Sequence, residues 1–189
     1  NVSIIPESDV LPLQHLGELR SSWGNRANWI YQQLLKVKFV RDSSTDYCLV
    51  VDADTLLLNP RDWVDSSGRI GFTPTDEENR DYYDFLTRIS VISDYPTYSF
   101  VPHHMFYKTN VFNDMLRDLN IYEIGDLILK IEANSNTDSR SPISIDYELF
   151  GQWAVRNIPN DAYLMKWSNV AFSRSRANEI ILSSVRLKI

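Results

Sequence analysis

Tyr47-Cys-Leu-Val-Val-Asp-Ala-Asp-Thr-Leu-Leu-Leu-Asn-Pro60 is the stretch on which the reading of this chain turns. Its opening residues are apolar or aromatic, a run long enough for a buried strand and too short for a helix. The run ends abruptly in Asp52 and Asp54, with Ala53 between them. In extended geometry alternate side chains leave the chain on one side, so the two carboxylates would face together and Ala53 away. Like charges held together call for a positive group between or before them. A divalent cation, Mn2+ or Mg2+, is the economical candidate. Hard oxygen ligands suit these ions, which keep some waters and take further oxygens from substrate phosphates. In the plainer alternative one Asp caps a turn and the other is solvated. The apolar run before the pair and Leu56 to Leu58 behind it favour the metal.

Outward from this stretch, strand-like and helix-like patterns alternate. From Asn25 the spacing predicts a helix with Ala27, Ile30, Leu34 and Val37 in one apolar line, Tyr31 and Leu35 beside it, and Gln32, Gln33 and Lys36 on the other side. Arg41 to Asp46 is a polar turn into the strand. Before the helix, Val2 to Ile5 reads as a short strand closed by Pro6, and Leu11 to Leu19 as a brief helix containing His15. Ile70 to Thr73 is a strand stopped by Pro74. Asp76-Glu-Glu78 opens a helix with Tyr82, Phe85, Leu86 and Ile89 inward. Ser99 to Tyr107 reads as a strand interrupted by Pro102. His103 and His104 follow that proline, and neighbours on a strand face opposite ways, so one of the two lines the site.

Asn110 is placed to cap a helix over 111–119, and a further helix covers 123–132. Ala133 to Pro142 is a Ser- and Asn-rich loop that delivers Ser144 as a cap, followed by Ile145, Leu149 and Trp153 on one helical line. Asp146 and Glu148 stand in the first turn of that helix, where they complement the dipole or serve a site. Tyr163 to Phe172 has extended spacing, Ser173-Arg-Ser-Arg176 is a small basic patch, and Ile180 to Ile189 is amphipathic. The alternation predicts an α/β domain with a mostly parallel or mixed central sheet flanked by helices and Tyr47 to Val51 at its centre. Ligands in such sheets sit beyond the carboxyl ends of strands, where Asp52 and Asp54 fall.

With 189 residues the chain suits one domain and is short for two. Its net charge of -6 argues against a nucleic-acid partner, since phosphate backbones are held by concentrated Lys and Arg. No apolar run reaches the roughly 20 residues of a transmembrane helix. Asn1 to Val10, with its polar and acidic residues and Pro6, does not read as a signal peptide. The single Cys48 lies in the apolar run, makes no internal disulfide and fits a reducing compartment.

In order and spacing, the Asp52-Ala-Asp54 stretch resembles the Asp-x-Asp segment of glycosyltransferases with the GT-A fold. There the motif binds the diphosphate of a nucleotide sugar through a metal. Trp29-Ile-Tyr-Gln-Gln-Leu-Leu-Lys36 is similar to the helix before that strand in bacterial members. Phe100-Val-Pro-His-His-Met-Phe-Tyr-Lys-Thr-Asn-Val-Phe112 and Ile145-Asp-Tyr-Glu-Leu-Phe-Gly151 resemble the acceptor-side strand and the helix with a catalytic carboxylate. Together these cover roughly residues 25 to 155. The resemblance implies a GT-A-like fold, a nucleotide-sugar donor and a carbohydrate or glycolipid acceptor. It also implies a cytoplasmic place at the periphery of the inner membrane. It puts Gln33 or Lys36 against phosphate, His103 or His104 beside the donor, a Mn2+ or Mg2+ ion on Asp52 and Asp54, and catalysis on Asp146 or Glu148. GT-A domains begin with a βαβ region that holds the base, and the stretch before Asp52 is short for it, so the single domain over 1–189 is expected to lack that part. The C-terminal part has no His, a departure from the third metal ligand of many GT-A enzymes.

Two rivals share the motif. A phosphatase of the haloacid dehalogenase type also ends a strand in Asp-x-Asp, but it wants Thr or Val where Leu56 stands and sits on the first strand. A non-catalytic sugar- or partner-binding fragment of a larger transferase is the other.

Overall fold

The computed structural model of the chain describes residues 2–135, 142–166 and 173. In order these form α1 (Glu7–Val10), α2 (Gln14–Trp23), a 3-10 turn (Gly24–Arg26), α3 (Ala27–Arg41), β1 (Tyr47–Val51), β2 (Ile70–Phe72), α4 (Arg80–Arg88), β3 (His104–Lys108), α5 (Thr109–Asp118), α6 (Ile124–Asn134), α7 (Tyr147–Asn157) and β4 (Ala162–Leu164). The architecture is mixed α/β. Strand β1 pairs antiparallel with β3, Tyr47 opposite Lys108 and Val51 opposite His104. Strand β2 pairs parallel with β4, Ile70 opposite Ala162. No helix among the described residues is long and apolar enough to cross a membrane.

The strand expected at the sheet's centre lies at an edge. Among the described residues β1 is hydrogen-bonded to β3 alone. Its two faces differ. Cys48 and Val50 pack against the core beside Met105 and Tyr107, while Tyr47 and Leu49 remain 41% and 39% exposed. Aromatic rings partly cover that outer face: Phe106 stacks on Tyr47 at 5.4 Å, and Trp63 stacks on Phe106 at 5.8 Å. An all-apolar run therefore serves here as a half-covered edge, which composition alone does not distinguish from a buried strand.

Helix α3 is the inner support. Its buried line runs through Ala27, Ile30, Leu34 and Val37, as the spacing predicts, and extends to Tyr31, Gln33 and Val40. Helices α5 and α7 close the core through an aromatic cluster in which Phe150 lies 5.0 Å from Tyr107, 5.4 Å from Phe112 and 5.4 Å from Phe72. The inward residues read for α4 and α7 are buried, among them Phe85 and Leu149, and Leu127 on α6 is buried with them.

Element ends moved where a backbone partner outweighed local signals. Residues 2–5 form no strand, and Val2 and Ile4 are almost fully exposed. Helix α4 starts at Arg80, not near Asp76, because Asn79 caps it by accepting from the Asp81 N–H. Helix α5 begins at Thr109, one residue before the expected cap Asn110, since Thr109 N–H bonds to the Asp46 carbonyl at 2.9 Å and carries β3 directly into the helix. Of the expected strand Ser99 to Tyr107 only 104–107 is regular, and β3 runs on to Lys108; Ser99 makes an isolated bridge with Thr75. Most of the Ser- and Asn-rich loop, the extended stretch beyond Lys166, the arginines of the basic patch and the amphipathic end lie outside the described residues.

Helix α7 approaches the 99–101 segment closely at Gly151, where a Cβ would fall 2.3 to 2.5 Å from Phe100 side-chain atoms. That ring is fully buried and edge-on to Phe72, so it has little room to yield. Gly151→Ala is expected to cost about 1–3 kcal/mol by overpacking, read as a lowered melting temperature. Combining it with Phe100→Leu should recover part of the loss; additive losses would show that the contact is not the cause.

Candidate functional site

Asp52 ends β1, its N–H donating to the His103 carbonyl at 2.9 Å and its own carbonyl accepting from Thr55 N–H at 2.9 Å. The second bond closes a turn through Ala53 and Asp54, so the two carboxylates are related by a turn and not by strand alternation. Across from Asp52 stands Lys36 on α3. Its ammonium donates to Asp52 Oδ1 at 2.6 Å, to Asp146 Oδ2 at 2.9 Å and to the Tyr147 hydroxyl at 3.1 Å. The Tyr147 hydroxyl in turn donates to Asp52 Oδ1 at 2.8 Å, and its ring lies 4.3 Å from the ammonium nitrogen. Asp52, one of the two paired aspartates, thus has a lysine as its positive partner.

Each partner is fixed from behind. Asp146 caps α7, its Oδ1 accepting from Tyr147 N–H at 2.9 Å and from the Ser144 hydroxyl at 3.3 Å. Ser144, the expected cap, instead accepts from Glu148 N–H at 3.4 Å. The buried Tyr107 hydroxyl on β3 donates to the Asp146 carbonyl at 2.8 Å. Gln33, one turn before Lys36, grips the approach to α7: its Nε2 donates to the Ile143 carbonyl at 3.0 Å and its Oε1 accepts from Ile145 N–H at 2.8 Å.

Charge follows the geometry. Burial opposes the Lys36 ammonium, but the Asp146 charge, hydrogen bonds to Asp52 and Asp146, and the Asp52 charge outweigh it and raise its pKa. Burial also opposes ionised Asp52; hydrogen bonds from Lys36 and Tyr147, the Lys36 charge and His103 prevail and hold its carboxyl below the usual range. Both partners shift toward the charged pair. Burial, the bond to Asp52 and the charges of Asp146, Asp52 and Asp54 push the Tyr147 hydroxyl far up, so it stays a donor.

His103 belongs to this group, with its Nδ1 at 3.4 Å from Asp52 Oδ2 and its side chain 52% exposed. It adopts φ 64, a left-handed conformation that costs a non-glycine residue about 1–3 kcal/mol and gathers at functional sites. His104, the first residue of β3, turns inward, parted from His103 by the left-handed turn before the strand. It is buried, meets Thr73 Oγ1 at 3.4 Å and lies edge-on to Trp63 at 5.2 Å.

Two expected contacts are drawn into the core instead. Gln33 is 2% exposed with both amide ends on backbone, which leaves it none for phosphate. Glu148 is 0% exposed and accepts from Ser99 Oγ at 2.7 Å, Phe100 N–H at 2.6 Å and Gln152 Nε2 at 2.8 Å. Burial raises its pKa against those bonds and the Arg156 charge. Residues two apart on a helix do not share a face. Asp146 therefore faces Lys36 while Glu148 anchors the 99–100 segment. A shallow depression lined by Arg41, Asn113, Arg117 and Tyr122 shares no residue with the Asp52 group.

A metal at this site would have to take its oxygens on the outer side. Asp52 Oδ1 is taken by Lys36 and Tyr147, and Oδ2 has the longer His103 contact. Asp54 is exposed, with its charge reaching Tyr147. Asp52 Oδ2 and the Asp54 carboxylate suit Mn2+ or Mg2+ bound by one or two carboxylates plus water and phosphate. No group of three His, Cys, Asp or Glu suited to a metal gathers among the described residues. Comparison with family models, curated proteins and solved structures found no match to this chain.

Sequence reasoning passed over Tyr147. Its signal was its place between Asp146 and Glu148 in the quoted Ile145 to Gly151 segment. Tyr147→Phe removes the hydroxyl from two charged partners, and a loss of about 1.5–3 kcal/mol is expected in chemical denaturation. A loss near zero would mean that water substitutes for the hydroxyl.

Burial, reinforced by the His103 charge and opposed by the Pro102 carbonyl and Asp52, lowers the His104 pKa from 6.5 to about 4. Between those values the unfolded chain binds a proton that the folded chain refuses, so stability falls as pH drops from 6.5 toward 4. His104→Gln removes this term. Its melting temperature relative to wild type should rise on going from pH 7 to pH 5, and a constant gap would show an unshifted His104.

Proposed function

We propose that this chain carries the metal-assisted transfer site of a glycosyltransferase, moving a sugar from a nucleoside-diphosphate donor to a carbohydrate or glycolipid hydroxyl. One observation supports it above the rest: a single lysine brings the strand-end carboxylate Asp52 and the helix-start carboxylate Asp146 together, so the expected donor side and acceptor side adjoin. Mn2+ or Mg2+ on Asp54 and Asp52 Oδ2 would neutralise the diphosphate as it leaves. Asp52 is kept ionised for this by Lys36 and Tyr147. Asp146 positions Lys36 and opens α7; both of its oxygens are occupied. Half-exposed His103, with Nδ1 turned to Asp52, has its other ring nitrogen for an acceptor hydroxyl.

A GT-A-like arrangement with its base-binding part elsewhere accords with the edge position of β1, and a cytoplasmic place beside a membrane accords with a glycolipid acceptor. A binding fragment without turnover is the second reading, favoured by the same Lys36 contacts, since Asp52 is already neutralised without a metal.

Nucleoside diphosphates titrated with and without Mn2+ separate the two. Transfer chemistry expects metal-dependent binding that Asp54→Ala abolishes while thermal stability stays level or rises, because an exposed repelling charge is removed. A structural Asp54 would instead cost about 0.5–2 kcal/mol with nucleotide binding unmoved. That outcome removes the metal mechanism.

A further inference from the structure

We infer that Lys36 is the resident cation of this site: it fills the place between Asp52 and Asp146 that a divalent ion would take, and so confines metal to the outer oxygens of Asp52 and Asp54. The two carboxylates converge on one nitrogen, at 2.6 and 2.9 Å. Nothing in that arrangement is loose. The Lys36 side chain is 16% exposed and the Asp146 side chain 6%. The Tyr147 ring lies 4.3 Å from the ammonium and the Tyr147 hydroxyl accepts from it at 3.1 Å, so the nitrogen is held on a third side. Asp146 is held by the Tyr147 N–H and the Ser144 hydroxyl, both donating to its Oδ1, and so is turned away from a metal at Asp54.

Charge counts the same way. Asp52, Asp54 and Asp146 against Lys36 leave a surplus that one divalent ion neutralises. A second ion at the usual separation of about 3.5–4 Å would have to displace the ammonium. Lys36 is therefore a specificity-determining residue: it sets the site to one metal. The outer metal rests on the transferase reading, whereas the filled inner position does not.

Mn2+ binding to the full chain tests this, followed by the loss of the free-ion paramagnetic signal and by calorimetry, with far-UV circular dichroism as the check on folding. Lys36→Met should be less stable than wild type in the absence of metal, bind one more Mn2+ than wild type, and regain melting temperature when Mn2+ is added. Introducing Asp146→Asn into Lys36→Met should remove the extra ion. A folded Lys36→Met with wild-type stoichiometry overturns the inference. If Lys36→Met does not fold, anomalous diffraction from wild-type crystals soaked in Mn2+ decides: no peak is expected between Asp52 and Asp146, and a Mn2+ bonded to Asp146 Oδ2 overturns it. Failure of the transferase reading looks different. Wild type that binds no Mn2+ while Lys36→Met does leaves the inner inference standing and removes metal-assisted transfer; wild-type binding lost in Asp54→Ala, with no gain in Lys36→Met, removes the inner inference alone.

Discussion

The ammonium of Lys36 holds three separate parts of the chain to one point: the middle of α3, the end of β1 and the start of α7. Two largely buried carboxylates depend on it. Breaking such a group by removing one partner leaves uncompensated charge out of water, which typically costs about 3–5 kcal/mol when the site is fully buried. The pairing cannot form until α3 and α7 have docked on β1. It then holds Asp52, Asp146 and the Tyr147 hydroxyl against one another.

Around that point the molecule separates support from chemistry within single helices. On α3, Gln33 reaches the backbone ahead of α7 while Lys36, nearly one turn on, reaches the carboxylates. On α7, Asp146 faces Lys36 and Glu148 faces Ser99 and Phe100. The inner members satisfy buried backbone groups that would otherwise lose their hydrogen bonds. The outer members inherit their positions from these bonds.

Strand β1 joins this support to solvent. Its inner face packs on the core, its outer face carries Tyr47 and Leu49 under the Phe106 and Trp63 rings, and its end turns at Ala53 and Asp54 into the open. The left-handed His103 at the head of β3 aims its ring at the same turn. Asp54 and His103 are the exposed members of the group, and a ligand arriving from solvent meets them before Lys36 and Tyr147.

The sequence by itself determined the helices and strands with strong periodicity or long apolar runs, the mixed α/β class, and Asp52 as a charged strand end needing a positive partner. Those follow from local spacing: the 3.6-residue period of α3, α6 and α7 survives any tertiary arrangement. It left both histidines open, and the left-handed turn at His103, outside β3, is what parts them. What the partner would be was not legible. A lysine on a helix and two carboxylates on distant segments carry no spacing relation, and only docking of α3 against β1 and α7 sets them within hydrogen-bonding reach. Glu148 and Asp146 looked equivalent as first-turn carboxylates; the Ser99 and Phe100 donors drew one inward. Likewise an apolar run reads the same at a sheet's centre and at its edge, and the tertiary structure alone decided that β1 is hydrogen-bonded to β3 alone among the described residues.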